Sequence, residues 1–345
     1  MVALYHAGMQ VEGVSTAPSG PFRFGYVGVS FFYVLSGFVL AWTWRRGEPV
    51  RFFYLRRFAR VWPLHALMTI VAGCLFALGV RGTAEMSALP AHLLLVQAWV
   101  FDNAFIFQWN GVSWSLSNEA FFYAVFPLLV VAFIHRPRLL AALGLTWLVV
   151  TGTVLLLTAP NLTMYLYTFP GHRVGEFAVG IGCGLWVRSG RQIPVTLNIG
   201  VLVAAFCYAL IWIGDRLTDG FFGREIWASH LLVLGGFAVA VMAAAQHDLS
   251  GRGSWLGLRP LVKLGQWSFA LYLVHALTYQ TGNPLLGGRS YGGRYAVVLG
   301  LLLIAITVSG LLYEAFERPV EARIRARARL RQSELARATT PGRIP

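Results

Sequence analysis

Two ionisable residues that could act as a general base or acid stand in otherwise apolar sequence. His6 lies between Tyr5 and Ala7, and a neutral imidazole can accept a proton near pH 7. Glu119 follows small polar residues that predict a polar network or a water-lined cavity: Ser113, Ser115, Ser117 and Asn118. The alternatives are an interfacial histidine hydrogen-bonded to a neighbour, and an acid that stabilises a helix N-terminus.

Arg57 and Arg60 have a spacing that could bind a polyphosphate. Residues three apart share one face of a helix, and two guanidinium groups there can form bidentate hydrogen bonds with phosphate. The alternative is that these arginines only anchor the chain at a membrane surface, a role that needs charge but no particular spacing.

Three residues interrupt the apolar segment that precedes these arginines: Ser36, Gly37 and Phe38. Glycine lets another helix or a ligand approach closely. Arg45 follows Ser36 by about nine residues, or ~13 Å along a helix. We therefore expect Ser36 near the middle of a membrane span.

Two further groups of polar residues fall in apolar sequence. Arg173 and Glu176 precede Gly180 and Gly184, whose small-xxx-small spacing is typical of helix packing. The second group shares one face of a predicted helix: Ser268, Tyr272 and His275. A polar face on a membrane helix points to the bundle interior, so we expect both groups to contribute to substrate binding.

The composition indicates an all-α polytopic membrane protein. The chain is 57% hydrophobic and 12% charged, whereas soluble domains average roughly 25% charged residues. The net charge of +14 falls in short runs between apolar segments, which disfavours nucleic-acid binding. The three cysteines lie in apolar segments without metal-ligand spacing, so we expect buried thiols and no metal site.

The positions of the apolar segments predict about ten transmembrane helices in a single bundle, the first of them truncated. A span needs about 20 apolar residues. Nine segments qualify, with 173–187 the shortest, and a stub helix containing His6 precedes them: 25–44, 61–80, 113–134, 139–158, 173–187, 195–214, 225–245, 261–280 and 294–315. Residues 1–316 would form the transmembrane domain, and residues 317–345 a basic C-terminal tail attracted to anionic lipid.

The charge distribution orients these spans. With the 45–60 loop inside, seven Arg and Lys residues fall outside and 21 of the 28 fall inside, as the positive-inside rule requires. The sequence therefore predicts a multi-pass protein of the inner (plasma) membrane with a cytoplasmic C-terminus.

Four blocks, in order along the chain, resemble the acyltransferase-3 family of integral membrane O-acyltransferases. They are GVSFFYVLSGF with RRFARVWP (28–63), WSLSNEAFFYAVFPLL (114–129), PGHRVGEFAVG (170–180) and LGQWSFALYLVH (264–275). The resemblance implies transfer of an acyl group from acyl-CoA, as co-substrate and without another cofactor, to a hydroxyl of a carbohydrate or a glycosylated secondary metabolite. Cell-surface sugars, peptidoglycan and macrolide-type glycosides are all compatible acceptors.

The resemblance also implies roles for individual residues. His6 matches the catalytic histidine, and Glu119 matches an intramembrane glutamate. Arg57 and Arg60 match an Arg-x-x-Arg motif linked to acyl-CoA. The remaining match is to a Ser-Gly-Phe motif, at Ser36, Gly37 and Phe38.

The chain departs from the family pattern at its N-terminus. The family usually has an arginine about eleven residues before the histidine, whereas His6 is only the sixth residue of this sequence. We expect a start codon further upstream, and we expect the membrane domain to handle the acceptor without a following esterase-like domain. Two other functions stay open: a transporter or flippase for a glycan or small metabolite, although the repeated broken helices of many transporters are not evident, and a non-catalytic membrane partner.

Overall fold

Ten helices of at least 11 residues make up most of the chain in the computed structural model, which describes residues 1–12 and 20–327. In chain order they are α1 Val2–Glu12, α2 Gly28–Thr43, α3 Val50–Ala77, α4 Trp114–Phe133, α5 Pro137–Thr158, α6 Pro170–Arg188, α7 Leu197–Leu217, α8 Ile226–Leu249, α9 Arg259–Gly282 and α10 Tyr291–Leu312. The architecture is that of an all-α membrane protein.

Within the described parts of the chain, seven helical segments are long and apolar enough to cross a membrane: Gly25–Thr43, Val50–Ala77, Gly111–Phe133, Pro137–Thr158, Leu197–Leu217, Ile226–Leu249 and Tyr291–Arg327. Two of the nine predicted spans, at 173–187 and 261–280, form the helices α6 and α9 but do not meet this criterion. The reason is their polar content, which includes Arg173 and Glu176 in α6 and Lys263 in α9. Helix α1, with 11 residues, is too short.

Helix α3 begins at Val50, well before the predicted span 61–80. Pro49 occupies its N-cap, and the arginine-rich sequence that follows contains no helix breaker before Pro63, which the helix accommodates internally. Arg57 and Arg60 therefore lie on a regular helix that continues into the bundle, and their relative positions follow from helical geometry.

Helix α6 occupies the centre of the bundle and packs most extensively against α2 and α5. Its glycines make the contact with α2 close: a Cβ at Gly180 would lie closer than 3.0 Å to the Val34 carbonyl oxygen, and a Cβ at Gly184 would lie equally close to the Phe38 carbonyl oxygen. A Cβ at Gly37 would in turn meet the Phe177 carbonyl oxygen. This geometry confirms the predicted role of Gly180 and Gly184 in helix packing.

Helices α1, α9 and α10 pack together beside this centre. Ala7 and Val11 of α1 share a core with Val298 and Leu301 of α10. The hydroxyl of Tyr279, on α9, donates a hydrogen bond of 3.2 Å to the carbonyl oxygen of Ala3. These contacts place the middle of α1, and with it His6, against α9.

The helix that contains α10 does not end at the predicted boundary between residues 316 and 317. A π-helical turn over Tyr313–Glu317 leads directly into further α-helix that reaches Arg327. We call residues 313–327 the C-terminal extension. The rest of the predicted basic tail, residues 328–345, lies outside the described residues.

The three thiols are free but not equally covered. Cys183 is buried and Cys207 is partly buried, whereas Cys74 is exposed on α3. The prediction that all three are buried is therefore wrong for Cys74, because apolar sequence also covers the outward face of a membrane helix.

Candidate active site

Three cavities follow one another through the bundle. The basic cavity, of about 490 Å³, is lined by Arg45, Glu48, Arg56, Arg57 and Arg325, among others. The central cavity, of about 320 Å³, has Ser36, Arg57, Arg60, Glu119, Tyr123, Ser268 and Tyr272 in its wall. The aromatic cavity, of about 360 Å³, has Tyr5, His6, Gln10, Tyr26, Trp114, Tyr167, Tyr279 and Gln280.

The first two cavities adjoin, and the last two are separated by side chains. Arg57 and Val39 line both the basic and the central cavity. Between the central and aromatic cavities, the Ser115 hydroxyl donates to the Tyr272 hydroxyl at 2.8 Å, and the Tyr272 hydroxyl donates to the Val112 carbonyl oxygen at 2.9 Å. We call this arrangement the Tyr272 partition.

His6 in the aromatic cavity is paired with His275 of α9. The Nδ1 atom of His6 lies 2.9 Å from Nε2 of His275, and the two rings are stacked with centroids 5.1 Å apart. The Nδ1 atom of His275 lies 2.8 Å from the carbonyl oxygen of Leu271, an acceptor, so it must carry the proton. In the neutral pair, Nε2 of His275 then accepts from Nδ1–H of His6, which leaves the lone pair of His6 on Nε2.

Glu119 lies in a different cavity from His6. Its Oε2 atom accepts a hydrogen bond of 3.1 Å from the Tyr123 hydroxyl, one helical turn further along α4. Arg57 and Arg60 are near enough to attract its carboxylate. Glu119 and His6, the two catalytic candidates from the sequence, therefore do not contact each other, and His275 is the residue that contacts His6.

Arg57 and Arg60 share one face of α3, as predicted, but have different partners. Arg60 forms an ion pair with Glu317 and a second one of 3.5 Å with Glu321. Arg57 has no carboxylate partner among the described residues, its Nε atom is buried without a hydrogen bond, and its guanidinium lies 6.0 Å from the Tyr123 ring. Of these two arginines, Arg57 is therefore the one whose guanidinium keeps its charge and a hydrogen-bond donor for a ligand.

Of the three residues in the predicted Ser-Gly-Phe motif, only Ser36 lines the central cavity. Gly37 faces α6 at backbone contact distance, and Phe38 is buried in the core that joins α2 to α6 and α8. The geometry corrects the substrate-binding assignment of Gly37 and Phe38: helix packing already occupies the faces that a ligand would need.

Arg173 and Glu176 form a fully buried ion pair rather than a part of a cavity wall. Their side chains are 0% and 1% exposed and 2.8 Å apart. Ser30 of α2 donates to Glu176 and is also hydrogen-bonded to His230 of α8. The pair therefore ties α2, α6 and α8 together, which corrects its assignment to substrate contact. Tyr33 stands between Arg173 and the central cavity: it lines that cavity, and its ring lies 5.1 Å from the Arg173 guanidinium.

The remaining predicted site residues lie along one face of α9, but they are found at two different cavities. Ser268 and Tyr272 line the central cavity, and His275 contacts His6 beside the aromatic cavity. Sequence reasoning missed Tyr123, although its spacing of four from Glu119 was a usable signal. It also missed the aromatic wall and the acids of the C-terminal extension, because those contacts join distant parts of the chain.

Comparisons with known proteins identify the family. The sequence profile described as "Acyltransferase domain" matches residues 1–314. The chain is similar to acyltransferase MdmB of Streptomyces mycarofaciens, with 33% identity over 320 residues that cover 86% of this chain and 80% of that protein. It is also similar to the exopolysaccharide production protein ExoZ of Rhizobium meliloti, with 29% identity over 318 residues that cover 89% of this chain and 92% of that protein.

A third relative is larger than this chain. The peptidoglycan O-acetyltransferase OatA of Listeria monocytogenes is 24% identical over 300 residues, which cover 76% of this chain and 46% of that protein. No solved structure matches the chain. The extent of the family match and the similarity to named acyltransferases show that the chain is an acyltransferase and belongs to the acyltransferase-3 family of integral membrane O-acyltransferases.

Proposed function

We propose that the protein transfers an acyl group from acyl-CoA to a hydroxyl of a carbohydrate or a glycosylated secondary metabolite. The observation that carries this proposal is the series of cavities that leads from an arginine-rich opening to the His6–His275 pair. The printed names of relatives that modify peptidoglycan or take part in exopolysaccharide production support a sugar acceptor.

In this proposal the bundle crosses the inner (plasma) membrane about ten times, with the basic cavity and the C-terminus on the cytoplasmic side. The excess of arginine on that side supports the orientation. Helices α6 and α9 cross as well: α6 is buried on nearly every side by protein, so its charged pair does not face lipid. Acyl-CoA is a co-substrate, and the reaction needs no other cofactor.

The donor would enter from the basic cavity. Its phosphates would bind Arg57, and its pantetheine arm would run along Ser36 through the central cavity. The thioester would then reach the Tyr272 partition, which must open for the acyl carbonyl to approach His6.

The acceptor would bind in the aromatic cavity. Flat aromatic side chains suit the apolar faces of a sugar ring, and the cavity also has polar groups on Gln10 and Gln280. The hydroxyl would donate to Nε2 of His6. As its oxygen attacks the thioester carbonyl carbon, His6 takes the proton. The carbon–sulfur bond then breaks, and His6 returns the proton to the departing CoA sulfur.

The test is acyl transfer by the purified protein in lipid nanodiscs, with radiolabelled acetyl-CoA, a panel of sugar acceptors and a thiol assay for released CoA. His6→Ala should lower the rate by at least about a hundredfold, since a general base contributes roughly 10²–10⁴-fold. The matched control is His135→Ala, because His135 is an exposed histidine that lies outside the three cavities.

Two results would contradict the proposal. A wild-type protein that releases no CoA from any acyl-CoA, but moves a glycan across a vesicle membrane, would be a transporter. A His6→Ala variant with wild-type transfer would remove His6 as the base.

A further inference from the structure

We infer that the C-terminal extension is part of the donor site: its Arg325 binds phosphate groups of the donor, while its Glu317 and Glu321 hold Arg60 away from them. This inference rests on the proposed function, because it identifies the donor by its phosphates. It assigns the cationic ligands to Arg45, Arg57 and Arg325 rather than to the pair Arg57 and Arg60.

The extension is held against α3 by a chain of alternating charges. Glu317, whose side chain is 2% exposed, pairs with Arg60. Glu321 pairs with the same arginine and also with Arg325. The ion pair with Glu321 fixes Arg325 at the edge of the basic cavity. Because Glu321 also pairs with Arg60, it neutralises the charge of Arg325 only in part. Its Nε atom is buried without a hydrogen bond.

The charges of the basic cavity favour an anion with several phosphate groups. Among the residues that the structure describes, four arginines line it and Glu48 is the only carboxylate in its wall. Both Glu48 oxygens are bound by Arg56, one of them at 2.7 Å. Among the described residues, Arg45 and Arg57 have no carboxylate partner, so two of the four arginines keep their full charge for a ligand, and Arg325 shares its partner Glu321 with Arg60.

The nucleotide end of CoA matches this group of arginines, because its adenosine carries a diphosphate and a separate phosphomonoester. Guanidinium groups bind phosphate oxygens through directional, charge-assisted hydrogen bonds. Arg57 lines both the basic and the central cavity, so a ligand that begins at Arg325 and Arg45 would pass Arg57 before its arm enters the central cavity.

Steady-state kinetics with two donors test this inference. Arg325→Ala should raise the KM for acetyl-CoA by about three- to tenfold, since one partly exposed charge-assisted contact is lost, and should leave kcat unchanged. With acetyl-pantetheine, which lacks the nucleotide and its phosphates, Arg325→Ala should behave like the wild type. Arg325→Lys keeps the charge and should recover much of the affinity.

Arg323→Ala is the matched control. It removes an arginine from the same helix, but one that is exposed and outside the basic cavity. Equal KM values for Arg325→Ala and Arg323→Ala, in variants that elute as monodisperse protein, would overturn the inference while leaving the acyl-CoA function intact. Absence of CoA release by the wild type would instead contradict the function itself.

A phosphorylated lipid headgroup could use the same arginines, and a binding measurement separates this source from CoA. CoA affinity should be measured in zwitterionic nanodiscs for the wild type, Arg325→Ala and Arg323→Ala. We expect weaker binding only for Arg325→Ala. Undiminished CoA binding by Arg325→Ala, together with a loss of its binding to vesicles containing phosphatidylglycerol, would assign Arg325 to lipid and overturn the inference.

Discussion

In the proposed mechanism, the ability of His6 to accept a proton depends on one hydrogen bond. Nδ1–H of His6 donates to Nε2 of His275, whose own Nδ1–H is taken by the Leu271 carbonyl oxygen. This arrangement fixes the tautomer and the ring orientation of His6, and it leaves Nε2 free to accept a proton. In the proposed mechanism His275 is therefore a positioning residue, and it orients His6 without bringing a negative charge into the membrane interior.

Replacing His275 should separate catalysis from binding. His275→Leu removes the acceptor for the His6 proton, and we expect kcat to fall about 10- to 100-fold, or ~1.4–2.8 kcal/mol in activation free energy. The KM values for both substrates should change little. His275→Gln, whose carbonyl oxygen can accept the same bond, should retain more of the rate.

The two substitutions provide each other's control, because both remove the imidazole. Equal losses of kcat in the glutamine and leucine variants would show that His275 acts through packing and not through its hydrogen bond. Expression level and thermal stability of both variants should be measured in parallel.

Residue type in apolar sequence was a good guide to which side chains line cavities, and a poor guide to which residues they contact. His6, Glu119, Ser36 and Arg57 stand out because polar groups are costly in a membrane, and all four line cavities. Their partners did not follow from local spacing. His6 and His275, which contact each other, are 269 positions apart in the sequence. Arg173 forms its ion pair with Glu176 inside the core.

Among the helices, α6 determines how closely the centre of the bundle packs. Its glycines let the backbone of α2 approach to contact distance, and they thereby set the position of Ser36 on the opposite face of α2. Association of membrane helices relies on close van der Waals packing, since lipid is as apolar as the side chains. The shape of the central cavity therefore depends on how closely α2 packs against α6.

Gly180→Ala should destabilise the protein. The added Cβ would lie closer than 3.0 Å to the Val34 carbonyl oxygen, which belongs to the backbone and cannot move aside alone. Overpacking of this kind costs about 1–3 kcal/mol, and we expect a lower Tm by scanning fluorimetry in detergent.

Gly235→Ala is the comparison for this test. Gly235 also lies inside a helix, α8, but no atom would lie within 4 Å of its new Cβ. The substitution should be neutral or mildly stabilising, by up to ~1 kcal/mol, because alanine favours helix more than glycine does. A Gly180→Ala variant as stable as Gly235→Ala would show that α2 and α6 can separate without cost.

Hydropathy predicted where the long helices lie but not how each begins or functions. The start of α3 was missed because its arginines resemble a loop, although nothing in residues 50–62 opposes helix. The short span at 173–187 was correctly located as a helix, and its low hydropathy reflects enclosure by other helices rather than by lipid. Residues 317–327 of the C-terminal extension were assigned to the tail, because their acids are only informative once Arg60 lies opposite them.

The molecule as a whole has two chemically distinct ends. Arg188, at the end of α6, donates to the carbonyl oxygens of Ala41 and Trp44, so the loop after α6 lies at the same end as the basic cavity. At the other end, Arg23 pairs with Asp215 at 3.0 Å near the end of α7. The proposed orientation places the first end in the cytoplasm.

Cysteine labelling in intact cells tests this orientation. In a variant whose three native cysteines are replaced, Ser189→Cys and Thr218→Cys put single thiols on exposed positions at opposite ends of the bundle. A membrane-impermeant maleimide should label Thr218→Cys directly, and Ser189→Cys only after the cells are permeabilised. The reverse pattern would contradict the orientation, and with it a cytoplasmic donor.

The Tyr272 partition has a consequence for the cell as well as for the reaction. A protein whose donor and acceptor cavities open to opposite sides of an energised membrane would, if they were joined by water, let protons run down their gradient. The contact of Tyr272 with Ser115 and Val112 keeps the two cavities apart. In the proposed mechanism the partition opens only for the passage of the acyl group, so the ionic seal of the bilayer is kept between transfers.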